Sequence, residues 1–446
     1  MFIRFVVSNF LSFDEETEFN MLPSSLKTHK HHMYSAGKVD VLKAAAIYGA
    51  NGAGKSNLIM AIDWLKDLVT SGKVDEDFNE LKFKLNKTNQ EKPVSFEIEF
   101  SFADTAYIYG LVIDGNSILE EWLYESGVTK DDILIFERKL TPTGKISIKM
   151  ADKYLKNEKE KLLIELMEEN LLKNNELFLG KSENLNNKDI NYVRLWFYHR
   201  LILIFPDTKF DFLVRALVSV EKFSKFVNET LETFDTGVSE LDIETTLFEN
   251  FFGEVDEKLK NQILYNLHSD NFVPYEFDGE VVVISKENEK IVVKRVVSKH
   301  KDNVGNNISF ELDEESDGTQ RLLDIMPALY DMLYLDFTYI IDEIDQSIHP
   351  ALLHKLISKI MADDTTKGQL IFTTHESNLL DLDIFRQDEI WFAEKDKTRG
   401  STQLYSLSEY KPRYDLDIRK GYLKGRFGAI PFLANLDNLN WHDHVA

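Results

Sequence analysis

The chain has 446 residues, 43% of them hydrophobic, a formal net charge of −24 at pH 7 and no cysteine. That length suits two or three domain-sized units with a substantial core. Without cysteine there are no disulfides or thiolate metal sites, which suits a reducing cytoplasm, and the acidic balance argues against a protein that coats nucleic acid, so DNA contact would be local or supplied by a partner. Met1-Phe2-Ile3-Arg4-Phe5 lacks a basic region followed by a long apolar segment, so no signal peptide is expected. No run of about 18 apolar residues occurs, so no membrane span is expected.

Residues 1–20 read as a strand pair, with Ile3, Phe5 and Val7 on one face. Leu22 to Lys38 reads as a polar, solvated loop. Its His29, His31 and His32 have no acidic or cysteine partner at ligand spacing. Ala44 to Tyr48 is a short apolar run, readable as a buried strand, and Asn57 to Leu68 has near-helical apolar spacing. Between them, Gly49-Ala50-Asn51-Gly52-Ala53-Gly54-Lys55-Ser56 fits the phosphate-loop pattern at every fixed position. The glycines let backbone N–H groups converge on phosphate oxygens, and the helix N-terminus adds its positive dipole end. Gly49, Asn51, Gly52, Gly54, Lys55, Ser56 and Asn57 are therefore candidate ATP-binding residues. Lys55 would reach the β- and γ-phosphates and Ser56 would ligate Mg²⁺.

Val94 to Phe102 alternates strongly, and Tyr107–Ile113 and Ile118–Tyr124 flank an Asp114-Gly115-Asn116 turn. Ile133–Leu140 and Lys145–Lys149 continue the meander. Residues 1–150 thus read as the first half of an α/β nucleotide core with an added antiparallel sheet. Residues 151–270 read as a mainly helical insertion, with helices at Lys156–Leu172 and Phe212–Phe234. The aromatic run Tyr192 to Tyr198 reads as packed core. Residues 271–446 begin with the strands Glu280–Ser285 and Lys290–Val297, and then carry the second half of the site.

Tyr339-Ile340-Ile341-Asp342-Glu343 is an apolar strand ending in two carboxylates. Asp342 is placed to hold Mg²⁺ and Glu343 to orient and deprotonate the attacking water. Ser316-Asp317-Gly318-Thr319-Gln320 opens a helical stretch, where backbone donors and the dipole favour an anion, so Ser316 and Gly318 are candidates for a γ-phosphate. His375 follows the strand Leu370 to Phe372 and could sense that same phosphate.

This order of motifs resembles the ABC-type ATPases of the SMC, RecF and OLD group. Within that group it is most similar to the stand-alone ATPases of bacterial anti-phage systems, of the AriA and RloA/AbiL type. The signature Ser316 to Gln320 and the tail Tyr422 to Pro431 carry that second likeness. The resemblance implies an α/β P-loop NTPase of ABC/SMC-head type, with Asp345 in a D-loop and His375 as the switch histidine. It implies heads that pair so that Lys55, Ser56, Asp342, Glu343 and His375 of one chain meet Ser316 and Gly318 of another. It also implies an ATP- and Mg²⁺-dependent oligomeric scaffold that senses a phage-encoded trigger and controls a separate toxic effector, a TOPRIM-like nuclease. The alternative is a RecF-like DNA-repair ATPase acting on DNA; a transporter subunit fits the long insertion and unusual signature poorly.

No clear glutamine loop follows the first helix, and Glu120 or Glu121 is the candidate substitute. Asp381/Asp383 and Asp415/Asp417 have the local spacing of a nuclease metal pair, but too little chain follows His375 for an added nuclease domain. Arg413, Arg419, Lys420, Lys424 and Arg426, with Tyr414, Tyr422 and Phe427 interleaved, form a basic cluster. Partner docking or ordinary surface is favoured there over DNA.

Overall fold

The computed structural model describes residues 1–428 apart from 128–130, 156–157, 186, 209–210, 235, 254–256, 270–271, 278–279, 289 and 414–415. The chain divides into two compact units. The first holds Met1–Ile204, Leu335–Ile344 and the chain from Ile357 onward; the second holds Phe205–Tyr334 and Asp345–Leu356. Among the described residues no helix is long and apolar enough to cross a membrane.

In the first unit, six strands form the sheet that carries the phosphate loop. They are β1 (Ala44–Gly49), β2 (Leu201–Ile204), β3 (Thr338–Ile341), β4 (Gln369–Thr373), β5 (Ile390–Lys395) and β6 (Thr402–Ser406). Their spatial order is β2-β3-β4-β1-β5-β6. All neighbours are parallel except β5 and β6. Every residue of β1, β3 and β4 is buried, as continuous apolar runs in a parallel sheet covered on both faces should be. The helix α1 (Lys55–Ser71) follows β1 and buries Leu58, Ile59, Ile62, Leu65 and Leu68 at helical spacing.

A seven-stranded antiparallel sheet is the other large element of this unit. It runs in the order 146–150, 133–140, 117–125, 105–114, 94–102, 2–8, 17–20. Asp114 pairs with Ser117 across the two-residue turn expected there. Gln369, fully buried at the start of β4, ties this sheet to the parallel one. Its amide oxygen accepts from Phe2 N at 2.6 Å, and its amide nitrogen donates to the Phe2 and Leu42 carbonyls, each at 3.0 Å. The aromatic run lies on the helix Lys188–His199 and is packed core only at Val193, Trp196 and Phe197, the Trp196 ring stacking on Phe100 at 3.9 Å, while Leu195 and Tyr198 are exposed.

The second unit contains the helices Asp211–Ser219, Glu221–Thr233 and α2 (Asp317–Tyr334). It also contains an antiparallel sheet in the order 240–247, 290–301, 280–287, 272–277, with 307–311 paired to 290–301. The single helix expected over 212–234 is two helices, broken at Val220, whose extended backbone (φ −127°, ψ 93°) starts the second. Two strands, β2 and 240–247, lie inside the stretch that reads as mainly helical. The run Leu201 to Ile204 is too short for its periodicity to separate strand from helix.

The histidine-bearing segment is solvated only in part: Ser24, Lys27, Lys30 and His31 are exposed, while His32 is buried. The Ser24 amide and hydroxyl bond Asp388, the Thr28 carbonyl accepts from Arg386, and His29 Nε2 lies 2.8 Å from the Leu382 carbonyl. Near the end of the helix α3 (Pro350–Ala362), the Met361 carbonyl faces His31 Nε2 at 3.1 Å, His32 Nε2 at 3.0 Å and Lys43 Nζ at 3.4 Å. The three histidines come within 4.8 Å of one another. Their Nε2 atoms are nonetheless engaged with backbone carbonyls, and His32 Nδ1 lies 2.9 Å from the buried Glu389 carboxyl. Because a carbonyl only accepts, His32 Nε2 carries hydrogen, and a neutral ring then accepts at Nδ1 from a protonated Glu389. Burial, with His29, Lys43 and Arg386 nearby, pushes His32 down to about 3, and burial pushes Glu389 well above the usual carboxylate range.

The folded pair therefore holds one proton. Between the ordinary values of 4.5 and 6.5 the unfolded pair also holds one, on histidine, so the pair's contribution to stability is flat there. In Glu389→Gln only His32 remains, with a folded pKa below its unfolded one. Its stability must fall as pH drops from 6.5 towards 4.5, by up to about 1.4 kcal/mol per pH unit. Urea midpoints across that range should show the gap between wild type and variant widening on acidification; a constant gap would refute the shared proton.

Candidate nucleotide site

The loop between β1 and α1 is built from left-handed glycines, with φ of 74° at Gly52 and 101° at Gly54. Asn51 and Gly52 are exposed, and Ser56 and Asn57 in the first turn of α1 are half-buried. Lys55 is buried, so its ammonium needs partners. It donates to the Gly49 carbonyl at 2.9 Å and the Ala50 carbonyl at 3.3 Å, and it lies 3.1 Å from His375 Nε2. An ammonium can only donate, so that histidine nitrogen accepts. The phosphate-loop lysine and His375 are thus already in contact, although they lie far apart in the chain.

The carboxylates are set by a residue the motif reading left unassigned. Thr373, the last residue of β4, donates its hydroxyl to Asp342 Oδ1 at 2.5 Å and accepts the Glu343 amide at 2.8 Å. Its carbonyl accepts the Ile344 amide at 3.1 Å. Glu343 is left-handed, with φ 48°, a conformation that costs a non-glycine residue roughly 1–3 kcal/mol and persists only where neighbours over-determine it. The bend ends the strand alternation that would send consecutive side chains to opposite faces. The signal for Thr373 in the sequence was a hydroxyl directly before the Thr374-His375 pair.

In the second unit Ser316 caps α2: its hydroxyl accepts the Thr319 amide at 3.2 Å and lies 2.9 Å from Thr319 Oγ1. A Cβ on Gly318 would lie 2.7 Å from the Ser347 carbonyl, so glycine here lets the loop after Asp345 approach the turn from Ser316 to Gln320. Asp345 opens that loop, its carbonyl accepting the Ile348 amide at 3.3 Å. Each set of motif residues is assembled within its own unit. Ser56 hydroxyl and Asp342 carboxylate are hard oxygen donors of the kind Mg²⁺ takes, beside a loop made for phosphate, and so fit that ion.

A family model described as "AAA domain, putative AbiEii toxin, Type IV TA system" matches residues 44–381, from β1 to just past His375. The chain belongs to this AAA_21 family. The match gives it an AAA-type ATPase domain, in keeping with the P-loop expected from its motifs. Solved structures similar to this AAA_21 chain include an Smc head bound to the C-terminal winged-helix domain of ScpA, with TM-score 0.44 and 14% identity over 92% of this chain and 99% of that one. An SMC head from Thermotoga maritima gives TM-score 0.37 and 11% identity over 91% and 98%. A third, an Smc head with an extended coiled coil bound to a Pyrococcus furiosus ScpA domain, gives 0.41 and 14% over 95% and 99%. Comparison with curated proteins finds no sequence match.

Other sequence candidates are engaged elsewhere. Glu121 is buried and caps the start of a helix, its oxygens accepting the Phe178 and Leu179 amides and the Tyr109 hydroxyl. Glu120 pairs with Lys139 on the sheet surface. Asp381 accepts the Asp383 amide in its own turn, while Tyr414, Asp415 and the segment from Ala429 to Pro431 lie outside the described residues. In the tail, Tyr422 and Phe427 are buried and stack on Phe392 at 5.6 and 5.9 Å. They are core, not platforms for bases, while Arg413, Arg419, Lys420, Lys424 and Arg426 stay exposed.

Two substitutions separate binding from turnover. If Glu343 is the base, Glu343→Gln should keep ATP binding while lowering turnover at least about 10²-fold, because the change leaves the phosphate contacts in place. Thr373→Val should lower turnover about tenfold or more with a smaller effect on affinity, because it unbinds Asp342 and the Glu343 amide together. Steady-state phosphate release beside equilibrium binding of a fluorescent ATP analogue measures both; wild-type turnover in Glu343→Gln would remove Glu343 from the base role.

Proposed function

We propose that this chain is the ATP-binding and hydrolysing, oligomeric scaffold and sensor of a bacterial anti-phage defence system. It holds a separate toxic effector, a TOPRIM-like nuclease, until a phage-encoded trigger releases it. The observation that supports the reading best is the family match over 44–381, whose description couples an AAA domain with a putative AbiEii toxin and a type IV toxin–antitoxin system. The AriA and RloA/AbiL likeness of the signature and tail points the same way. The net charge of −24 weighs against the DNA-repair alternative.

In this reading Gly49, Asn51, Gly52, Gly54 and Asn57 cradle the phosphates with backbone and side-chain donors. Lys55 leaves its loop carbonyls and His375 for the β- and γ-phosphates. Ser56 and Asp342 would hold Mg²⁺, which would supply charge neutralisation to the phosphates. Glu343 takes the proton of the attacking water. His375, freed from Lys55, hydrogen-bonds the γ-phosphate, while Ser316, Gly318 and Asp345 of a second copy close over it. ATP bound by two copies favours the closed pair, and hydrolysis removes that bridge.

Purification of the tagged chain from its native locus with ATP and Mg²⁺ tests the scaffold. A stoichiometric nuclease-like partner is expected, lost in Lys55→Ala, which should also weaken ATP binding by about 10²-fold or more. A homo-oligomer without partner, whose ATPase rises with duplex DNA, would overturn the reading in favour of DNA repair.

A further inference from the structure

The phosphate loop is backed by two hydroxyl residues that no motif assigns. A Cβ built on Gly54 would lie 2.0 Å from Thr402 Oγ1 and 2.9 Å from Ser12 Oγ, so the loop rests directly on them. Thr402, buried at the start of β6, places Oγ1 2.9 Å from the Ala53 carbonyl and 2.7 Å from Ser12 Oγ. A threonine has one hydroxyl hydrogen. Given to Ala53, it leaves Ser12 as donor to Thr402, a two-step relay ending on the loop. The Thr402 amide donates to the Ser12 carbonyl at 2.8 Å, locking the two backbones together.

Ser12 is itself held in a rigid turn. Asn9 and Leu11 are left-handed, with φ 54° and 48°. Phe10 and Phe13, both fully buried, exchange backbone hydrogen bonds at 3.0 and 2.8 Å. Asn9 Nδ2 donates to the Asn89 and Lys92 carbonyls at 2.8 and 2.9 Å. Conformations that costly are kept where the surroundings insist on them.

The consequence follows from peptide geometry. In a planar trans peptide the C=O and N–H point in opposite directions. With the Ala53 oxygen drawn to Thr402, the Gly54 N–H must point away from Thr402, as one of the converging donors a phosphate loop needs. We propose that Thr402, seated on Ser12, is a positioning residue that fixes the Ala53–Gly54 peptide for phosphate binding. The proposal rests on the nucleotide reading of the loop. Both ATP and ADP use this donor, so the effect falls on affinity for both and not on the chemical step.

Thr402→Val keeps the side chain's shape and removes the donor, and Thr402→Ser keeps the donor. Thr402→Val should weaken fluorescent ADP and ATP analogues about tenfold, leave kcat at saturation within about twofold, and shift the melting midpoint by no more than a few degrees. Thr402→Ser should bind within about twofold of wild type, and Ser12→Ala should lose about threefold. If Thr402→Val binds as wild type, or Thr402→Ser fails equally, the proposal falls. If Thr402→Val does not fold, wild-type affinity in Ser12→Ala overturns it. A wild-type chain that binds no nucleotide, or a Lys55→Ala chain that binds normally, would instead overturn the nucleotide reading itself.

Discussion

β1, the strand that delivers the phosphate loop, has no sheet partner from its own half of the chain. Its two neighbours are β4 and β5, whose residues begin at Gln369 and Ile390. The nucleotide site therefore exists only once the two ends have paired. Closing so long a loop is costly before any contact rewards it. The buried polar groups at the seam are consistent with that demand. Gln369 satisfies the Phe2 amide and the Phe2 and Leu42 carbonyls, and Lys43 donates to the Ile360 carbonyl at 2.7 Å and the Asp363 carbonyl at 2.5 Å. Leaving any of these buried groups without its partner would cost about 1–3 kcal/mol. They favour one register over the alternatives that apolar contact alone would tolerate.

The same logic explains how the chain accommodates a large insertion. It leaves the first unit after β2 and returns just before β3, and these two strands are parallel neighbours. The Thr338 amide donates to the Arg200 carbonyl at 2.8 Å and the Asp342 amide to the Ile204 carbonyl at 2.9 Å, so the exit and return points are joined at both ends of the strands. Adjacent termini let a compact unit be inserted without disturbing the sheet that hosts it. The cost is that β2 became hard to recognise: four apolar residues flanked by helices carry no periodicity of their own.

What could be read from the sequence was what short-range chemistry dictates. The phosphate loop, the carboxylate strand and the alternating run at Val94–Phe102 each declare themselves within ten residues. The polar clamp on His29, His31 and His32 did not, because Glu389, Met361 and Leu382 lie more than 300 positions away and only folding brings them together. Tyr422 and Phe427 looked like a surface motif because their basic neighbours are exposed; burial against Phe392 is invisible to composition. Glu121 looked available for a metal, yet three donors surround it. In each case the residue type was read correctly and its partner was unknowable from local pattern.

The tripeptide Thr373-Thr374-His375 concentrates this dependence on partners. Thr373 holds the two residues that follow β3, through the Asp342 carboxylate and the Glu343 backbone amide. The Thr374 amide donates to the Ile47 carbonyl of β1 at 3.1 Å, and His375 meets the Lys55 ammonium. Three consecutive residues at one strand end thus touch the carboxylate strand, the loop strand and the loop lysine. A small displacement of this end cannot alter one of them alone. Glu343 sits in a conformation it would not adopt unaided, and the group that holds it there is two residues from the group that holds Lys55. Removing Lys55 from His375 therefore bears on the same backbone that orients Glu343, without any longer pathway being required.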